Sequence, residues 1–101
     1  MLMEQERRVF ERTLLSIPIR YQQKGSQRFG NSIGRDISPS GIGFVSEEFF
    51  PKSTQLIFEL QHPESQEFIK AVGEIVWISG KPYTEKYNIG ARFIGPPLPV
   101  F

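Results

Sequence analysis

Three arginines near the start of the chain, Arg7, Arg8 and Arg12, are the first residues whose type and spacing point to binding chemistry. Arg8 and Arg12 are four positions apart, a spacing that makes two side chains neighbours on a helix and also places them on the same side of an extended chain. Their guanidinium groups can therefore converge on one ligand with paired acceptors, such as phosphate oxygens or the O6 and N7 atoms of guanine. The alternative for these residues is a solvated, charged segment without a binding role.

A second motif, DISPSG, occupies residues 36–41 and is followed by Gly43. Asp36 is the only aspartate in the chain, and a carboxylate can accept hydrogen bonds from two adjacent donors such as N1–H and N2–H of guanine. Ser38 offers a hydroxyl group, and Gly41 and Gly43 allow the backbone to approach a ligand closely. The alternative is an ordinary turn, in which aspartate and serine side chains bond backbone amides two residues further on.

The composition excludes several classes of function. The chain has 101 residues, 12 basic and 11 acidic side chains and a formal net charge of +1, which argues against the broad basic surface that binds nucleic-acid polymers. It has no cysteine and one histidine, His62, so thiolate and multi-histidine metal sites are excluded. The sequence also lacks a Ser/His/Asp set at usable spacing, a convincing pair of carboxylates and a Walker-type glycine loop. We therefore expect a binding protein without a catalytic step, a metal or a cofactor.

The length of the apolar segments predicts the cellular location. No stretch has the length of a signal peptide, and none approaches the roughly 20 apolar residues that a membrane span needs. We therefore expect a soluble, cytoplasmic protein, and its length suits one domain with one modest core.

The elements that must position the two motifs are predicted by an alternation of apolar and polar residues, which is the period of a half-buried strand. Six such segments begin near Leu15, Phe29, Ile42, Leu56, Phe68 and Tyr87. Pro18 interrupts the first segment and indicates an edge strand or a bulge, and Gly73 indicates a bend or bulge in the fifth. Six short strands without a convincing helix predict a small antiparallel barrel or sandwich.

Several other side chains have predicted places in these strands. Trp77 shares the apolar face of the fifth segment, so we expect it in the core rather than on a surface that stacks against a ligand. Phe49 and Phe50 are adjacent in a loop, and we expect one to be buried and the other to be available for contact with a partner. Arg92 should face outward and pair with Glu74 across the strands.

The two motifs in this order, RxxxR at Arg8 and Arg12 and DxSxxG at Asp36, Ser38 and Gly41, resemble the motifs of the PilZ domain family. Further along the chain, the segments GEIVW and NIGARF are similar to later strands of that family. The resemblance therefore covers nearly the whole sequence.

This resemblance implies a single domain over residues 1–101, whose fold is all-β: a six-stranded antiparallel β-barrel over residues 14–94. It implies a flexible N-terminal arginine segment over residues 1–13, which clamps the ligand and becomes ordered when the ligand binds. We also expect a proline-rich tail over residues 95–101 and no C-terminal helix of the kind that many family members have.

The resemblance also implies a function, that of a receptor for the bacterial second messenger cyclic di-GMP. On this basis Arg8 and Arg12 grip phosphates and guanine edges of the ligand. Asp36, Ser38 and Gly41 surround a guanine on the surface of the barrel.

Two further residues are included in the predicted binding surface. Arg7, directly before the first motif, occupies a position that influences whether one ligand or a stacked pair binds, and the backbone of Gly43 is open to close approach. One alternative is a PilZ-fold adaptor that contacts an unidentified protein partner and binds no nucleotide. A barrel that binds single-stranded nucleic acid is another alternative, which the near-zero net charge disfavours.

Overall fold

The computed structural model describes residues 16–62 and 64–95. Arg7, Arg8 and Arg12, and with them the predicted N-terminal clamp, lie outside the described residues. The proline-rich tail lies outside them as well from residue 96 onward.

Six strands form the described part of the chain. They are β1 (Ile17–Gln23), β2 (Phe29–Ser38), β3 (Gly41–Ser46), β4 (Gln55–Gln61), β5 (Phe68–Gly80) and β6 (Tyr87–Ile94). All neighbouring pairs are antiparallel, and the sheet closes into a barrel in the order β1-β2-β3-β6-β5-β4. The prediction of a six-stranded antiparallel barrel is confirmed, and the sandwich alternative is wrong.

The core fills the barrel with alternate side chains from every strand, because successive residues of a strand point to opposite faces of the sheet. Aromatic rings form its centre: Phe44 lies 5.0 Å from Tyr21 and 5.4 Å from Phe58, and Phe58 lies 6.1 Å from Phe93, between ring centroids. With the interior occupied by side chains, ligand chemistry is left to the outer surface and the barrel ends.

One extra residue interrupts the register of β5 and changes the face of the sheet on which Trp77 lies. The pairing of β5 with β6 shifts between Ile75 and Trp77, so Val76 is an extra residue and forms a bulge. The shift moves Trp77 from the inner to the outer face, where it is 48% exposed, and the prediction that it lies in the core is wrong. Gly73, the predicted bulge position, pairs regularly with Phe93.

The prediction for Pro18 is also wrong. Strand β1 has neighbours on both sides, and neither its pairing with β2 nor that with β4 contains a register shift. The β4 ladder begins at Ile19, so the proline, which has no N–H to donate, lies one residue beyond that ladder.

Two predictions about individual side chains are confirmed. Phe50 is buried, whereas its neighbour Phe49 is exposed and packs edge-on against Tyr87 at 5.6 Å between ring centroids. Arg92 is the cross-strand partner of Glu74, and its Nη2 donates to the Oε1 atom of that residue at 2.7 Å.

Candidate functional site

The DxSxxG motif begins inside a second bulge, at the end of β2. The pairing of β2 with β3 shifts between Arg35 and Ser38. Ile37 is 1% exposed and points into the core, so Asp36 is the residue left over. Its backbone has a φ of 48°, a left-handed conformation that aspartate tolerates better than most residues. The exposed Asp36 therefore lies on the surface at a position fixed by the buried residue that follows it.

Serine side chains shape the turn that joins β2 to β3. The amide of Ser40 donates to the Oγ atom of Ser38 at 3.2 Å, and the two hydroxyl groups lie 3.2 Å apart. The carbonyl of Ser40 accepts a hydrogen bond from the amide of Phe93 at 2.8 Å, which ties the turn to β6. The ordinary-turn chemistry of the motif is thus present, and because these contacts are exposed, both hydroxyl groups are also accessible to a ligand.

The two glycines of this region have different roles. A Cβ atom on Gly41 would lie 2.6 Å from the carbonyl oxygen of Ala91, so only glycine allows β3 to approach β6 at this position. A Cβ atom on Gly43 would meet nothing closer than 3.7 Å, an ordinary contact distance. Gly41 is required by the barrel itself, whereas Gly43 leaves an opening on the outer surface.

Strand register aligns eight residues in two rows across the outside of β2, β3, β6 and β5, and we call this surface the glycine face. The first row consists of Arg35, Gly43, Gly90 and Trp77. The second row consists of Ser38, Gly41, Arg92 and Glu74. Gly41 and Gly43 leave the β3 part of this surface shallow, whereas Gly90 is covered by the side chain of Trp77.

Trp77 lies against one of these glycines. A Cβ atom on Gly90 would overlap Nε1 and Cε2 of the indole, so the ring covers the backbone of Gly90 directly. About half of the Trp77 side chain remains exposed, at 48%. A half-exposed indole on the outer surface can stack against a planar ligand.

The charges of the glycine face and of Asp36 beside it balance. Arg35 and Arg92 are opposed by Asp36 and Glu74, and Arg92 is already bonded to Glu74. Among the described residues, the side chain of Arg35 makes no hydrogen bond or ion pair. An anionic ligand would therefore need further cations, and the arginines of the RxxxR motif, which the sequence offers for this role, lie outside the described residues.

Other kinds of site are less well supported in residues 16–62 and 64–95. No three His, Asp or Glu side chains of these ranges are grouped to hold a metal ion. A small polar cavity near the β1–β2 turn, lined in part by Tyr21, Arg28 and Glu48, contains no residue of either motif. Neither range includes a helix long and apolar enough to cross a membrane.

The structure brings some predicted site residues together and adds one that the sequence did not indicate. Ser38, Gly41 and Gly43 lie on the glycine face, and Asp36 lies in the bulge next to them. Trp77 was missed because its place depends on the extra residue in β5, which an alternating sequence does not reveal. The signal that could have indicated it is Gly90 in the last strand, since a glycine opposite a tryptophan leaves room for the ring.

Comparisons with known proteins bear on the family and the fold of this chain. The family model described as PilZ domain matches residues 6–99, a span that contains both motifs. A search of curated proteins found no significant match.

Among solved structures, the Bacillus subtilis inhibitor of motility (MotI/DgrA) matches with a TM-score of 0.69 and 18% sequence identity. The match covers 85% of this chain and 42% of that protein, so this chain spans less than half of its length. At this identity the likeness establishes a shared fold.

Proposed function

Because the chain belongs to the PilZ domain family, we propose that it is a receptor for cyclic di-GMP that alters its contacts with a protein partner when the ligand binds. PilZ domains are in general binding or adaptor domains without a catalytic step. The observation that supports receptor activity most directly is that both binding motifs are complete in this one chain, with Asp36, Ser38 and Gly41 gathered at one place on the barrel surface.

Each motif has a separate role in this proposal. Arg8 and Arg12 supply the positive charge for the two phosphates, which the balanced charges of the described surface do not provide. The carboxylate of Asp36 accepts hydrogen bonds from a guanine edge, and the hydroxyl of Ser38 bonds the same base. Gly41 acts indirectly, because it lets β3 and β6 come close enough to hold the turn in place.

The glycine face gives the bound nucleotide a surface to lie on. Three strand spacings of about 4.8 Å separate Arg35 from Trp77, which is roughly 14 Å along the curved wall of the barrel. A base over Gly43 lies between these two residues, and the exposed part of the Trp77 ring can stack against it. Arg7 and the backbone of Gly43 complete the proposed contacts.

The proposed contacts supply enough binding free energy for a signalling receptor of micromolar affinity. A dissociation constant near micromolar corresponds to about −8 kcal/mol. Each bidentate contact between an arginine and a guanine provides roughly 1–3 kcal/mol of discrimination. A few such contacts and base stacking reach this range after the cost of ordering the N-terminal arginines has been subtracted.

Titration calorimetry with cyclic di-GMP tests the proposal. We expect saturable binding by the wild-type chain and loss of measurable heat in Arg12→Ala. Arg28→Ala is the matched control, because this arginine is exposed, pairs with Glu48 at 3.6 Å and belongs to neither motif. Wild-type affinity in Arg12→Ala would remove this arginine from the site, and no binding by the wild-type chain would refute the receptor proposal.

The second candidate is a PilZ-fold adaptor that acts through protein contacts alone. It is favoured by exposed aromatic rings near the β5–β6 turn, where Phe49 is 55% exposed and Tyr83 is fully exposed. Absence of heat with cyclic di-GMP, together with a stable partner in a pull-down that is lost in Phe49→Ala, would favour the adaptor.

A further inference from the structure

Among the described residues, the only side-chain ion pair on the glycine face lies beside the DxSxxG turn. Arg92 donates from Nη2 to Oε1 of Glu74 at 2.7 Å, a short, charge-assisted hydrogen bond. The Arg92 side chain is 62% exposed, whereas that of Glu74 is 28% exposed. The arginine is therefore held by one neighbour while most of its side chain is exposed.

On the side of Arg92 that faces away from Glu74, its cross-strand partner is Gly41, which has no side chain, and the next residue in the row is Ser38. The backbone of the adjacent Ser40 is bonded to Phe93, directly after Arg92, which keeps the turn close. A guanidinium has five N–H donors, and this structure shows one of them bonded, so several can reach a ligand over Gly41.

Glu74 has the opposite effect on an anionic ligand. Its carboxylate lies one strand beyond Arg92, within the range of about 10 Å over which charges interact at ordinary ionic strength. It cancels part of the positive potential that Arg92 presents and repels a phosphate that approaches the same group. The pair thus combines an anion contact with a charge that weakens it.

We infer that Arg92 is an additional phosphate contact of this receptor and that Glu74 sets its strength by lowering the affinity for the ligand. The inference rests on the proposed binding of cyclic di-GMP. It makes Arg92 a binding residue outside both sequence motifs and Glu74 a residue that acts through it.

The experiment compares two exchanges on the glycine face by calorimetry with cyclic di-GMP at two salt concentrations. Glu74→Gln removes the negative charge but keeps an acceptor for Arg92, and we expect the dissociation constant to fall about threefold. Arg92→Gln removes the contact, and we expect the constant to rise about tenfold, with a weaker dependence on salt. Thermal unfolding of both variants shows whether the barrel is intact.

The chain contains a matched control for these exchanges. Arg20 and Glu59 also form a cross-strand pair, with 3.7 Å between Nη1 and Oε1, but they lie on β1 and β4, neither of which contributes to the glycine face. Arg20→Gln and Glu59→Gln change the net charge by the same amounts, and we expect both to bind like the wild-type chain. Equal effects at the two pairs would mean that total charge, and not Arg92, is responsible.

The outcomes separate the inference from the proposed function. Binding by the wild-type chain with no change in Arg92→Gln overturns the inference and leaves the receptor proposal standing. Weaker binding in Glu74→Gln overturns the attenuating role and shows that Glu74 supports the site. Absence of binding by the wild-type chain refutes both. Tighter binding in Glu74→Gln cannot result from misfolding, so it supports the inference even if Arg92→Gln is unstable.

Discussion

The barrel contains two bulges, and each places a different side chain on the outer surface. In β2 the extra residue is Asp36 itself, and its left-handed backbone places the candidate guanine-binding carboxylate on the surface. In β5 the extra residue is Val76, which has no polar group, and the chemically useful residue is the one after it, Trp77. No residue of β5 has a positive φ. The first bulge presents its own side chain, whereas the second changes the face on which its neighbour lies.

The two bulges are expected to differ in backbone strain. A non-glycine residue in the left-handed region costs energy and persists only where its surroundings fix it. Asp36 is fixed by the buried Ile37 on one side and by the Ser38–Ser40 turn beyond it. Val76 needs no such support, because no residue of its bulge has a positive φ. We therefore expect the region around Asp36 to be the more sensitive of the two to substitution.

The largest effect is expected at the glycine that closes the first bulge. In Gly41→Ala the new Cβ would lie 2.6 Å from a backbone oxygen of β6, which cannot move without separating the strands. We expect the free energy of unfolding to fall by about 3 kcal/mol, measured by chemical denaturation.

The matched control for this exchange is two residues away. Gly43→Ala introduces the same methyl group on the same strand, but its nearest neighbour would be at 3.7 Å. We expect the free energy of unfolding to stay the same or to rise by up to about 0.5 kcal/mol, since alanine restricts the unfolded chain. Equal losses in both variants would show that the close approach to β6 is not what requires glycine.

The sequence predicted the β2 region better than the β5 region for a physical reason. A turn with aspartate, serine, proline and glycine is encoded locally, so the place of Asp36 and Ser38 near a strand end could be predicted from residue types. The bulge at Val76 depends on the register between two strands that are distant in sequence, and nothing in the local pattern marks it. Gly73 was the expected position because glycine is common in bulges, but here it makes room for the ring of Phe58.

The candidate site also depends on strand pairing that the local sequence does not indicate. The motif residues were identified from the sequence, but their relation to Trp77, Arg92 and Glu74 depends on the pairing of β3 with β6 and of β6 with β5. The pair of Arg92 and Glu74 was predicted as a surface contact from alternation alone. Its place next to Gly41 became clear only from the closed barrel.

An intermediate effect is expected where Trp77 rests on Gly90. In Gly90→Ala the methyl group would overlap the indole, so the ring must leave the surface of β6. We expect a loss of about 1–2 kcal/mol in the free energy of unfolding, because packing contacts of the ring are lost. Trp77 is the only tryptophan, so its fluorescence should shift to longer wavelength as the ring becomes more exposed. An unchanged spectrum would contradict the placement of the ring over Gly90.

The smallest effect is expected from removing the second bulge. Trp77 already pairs with Gly90 and Ile78 with Ile89, so deletion of Val76 leaves the register of the following residues unchanged and makes the ladder regular. Val76 is 43% exposed, and little apolar burial is lost with it. We expect a change within about 1 kcal/mol in the free energy of unfolding and an unaltered fluorescence spectrum. A shift to shorter wavelength would mean that Trp77 has turned into the barrel, and that the bulge itself, rather than the pairing with Gly90, keeps the ring on the outer face.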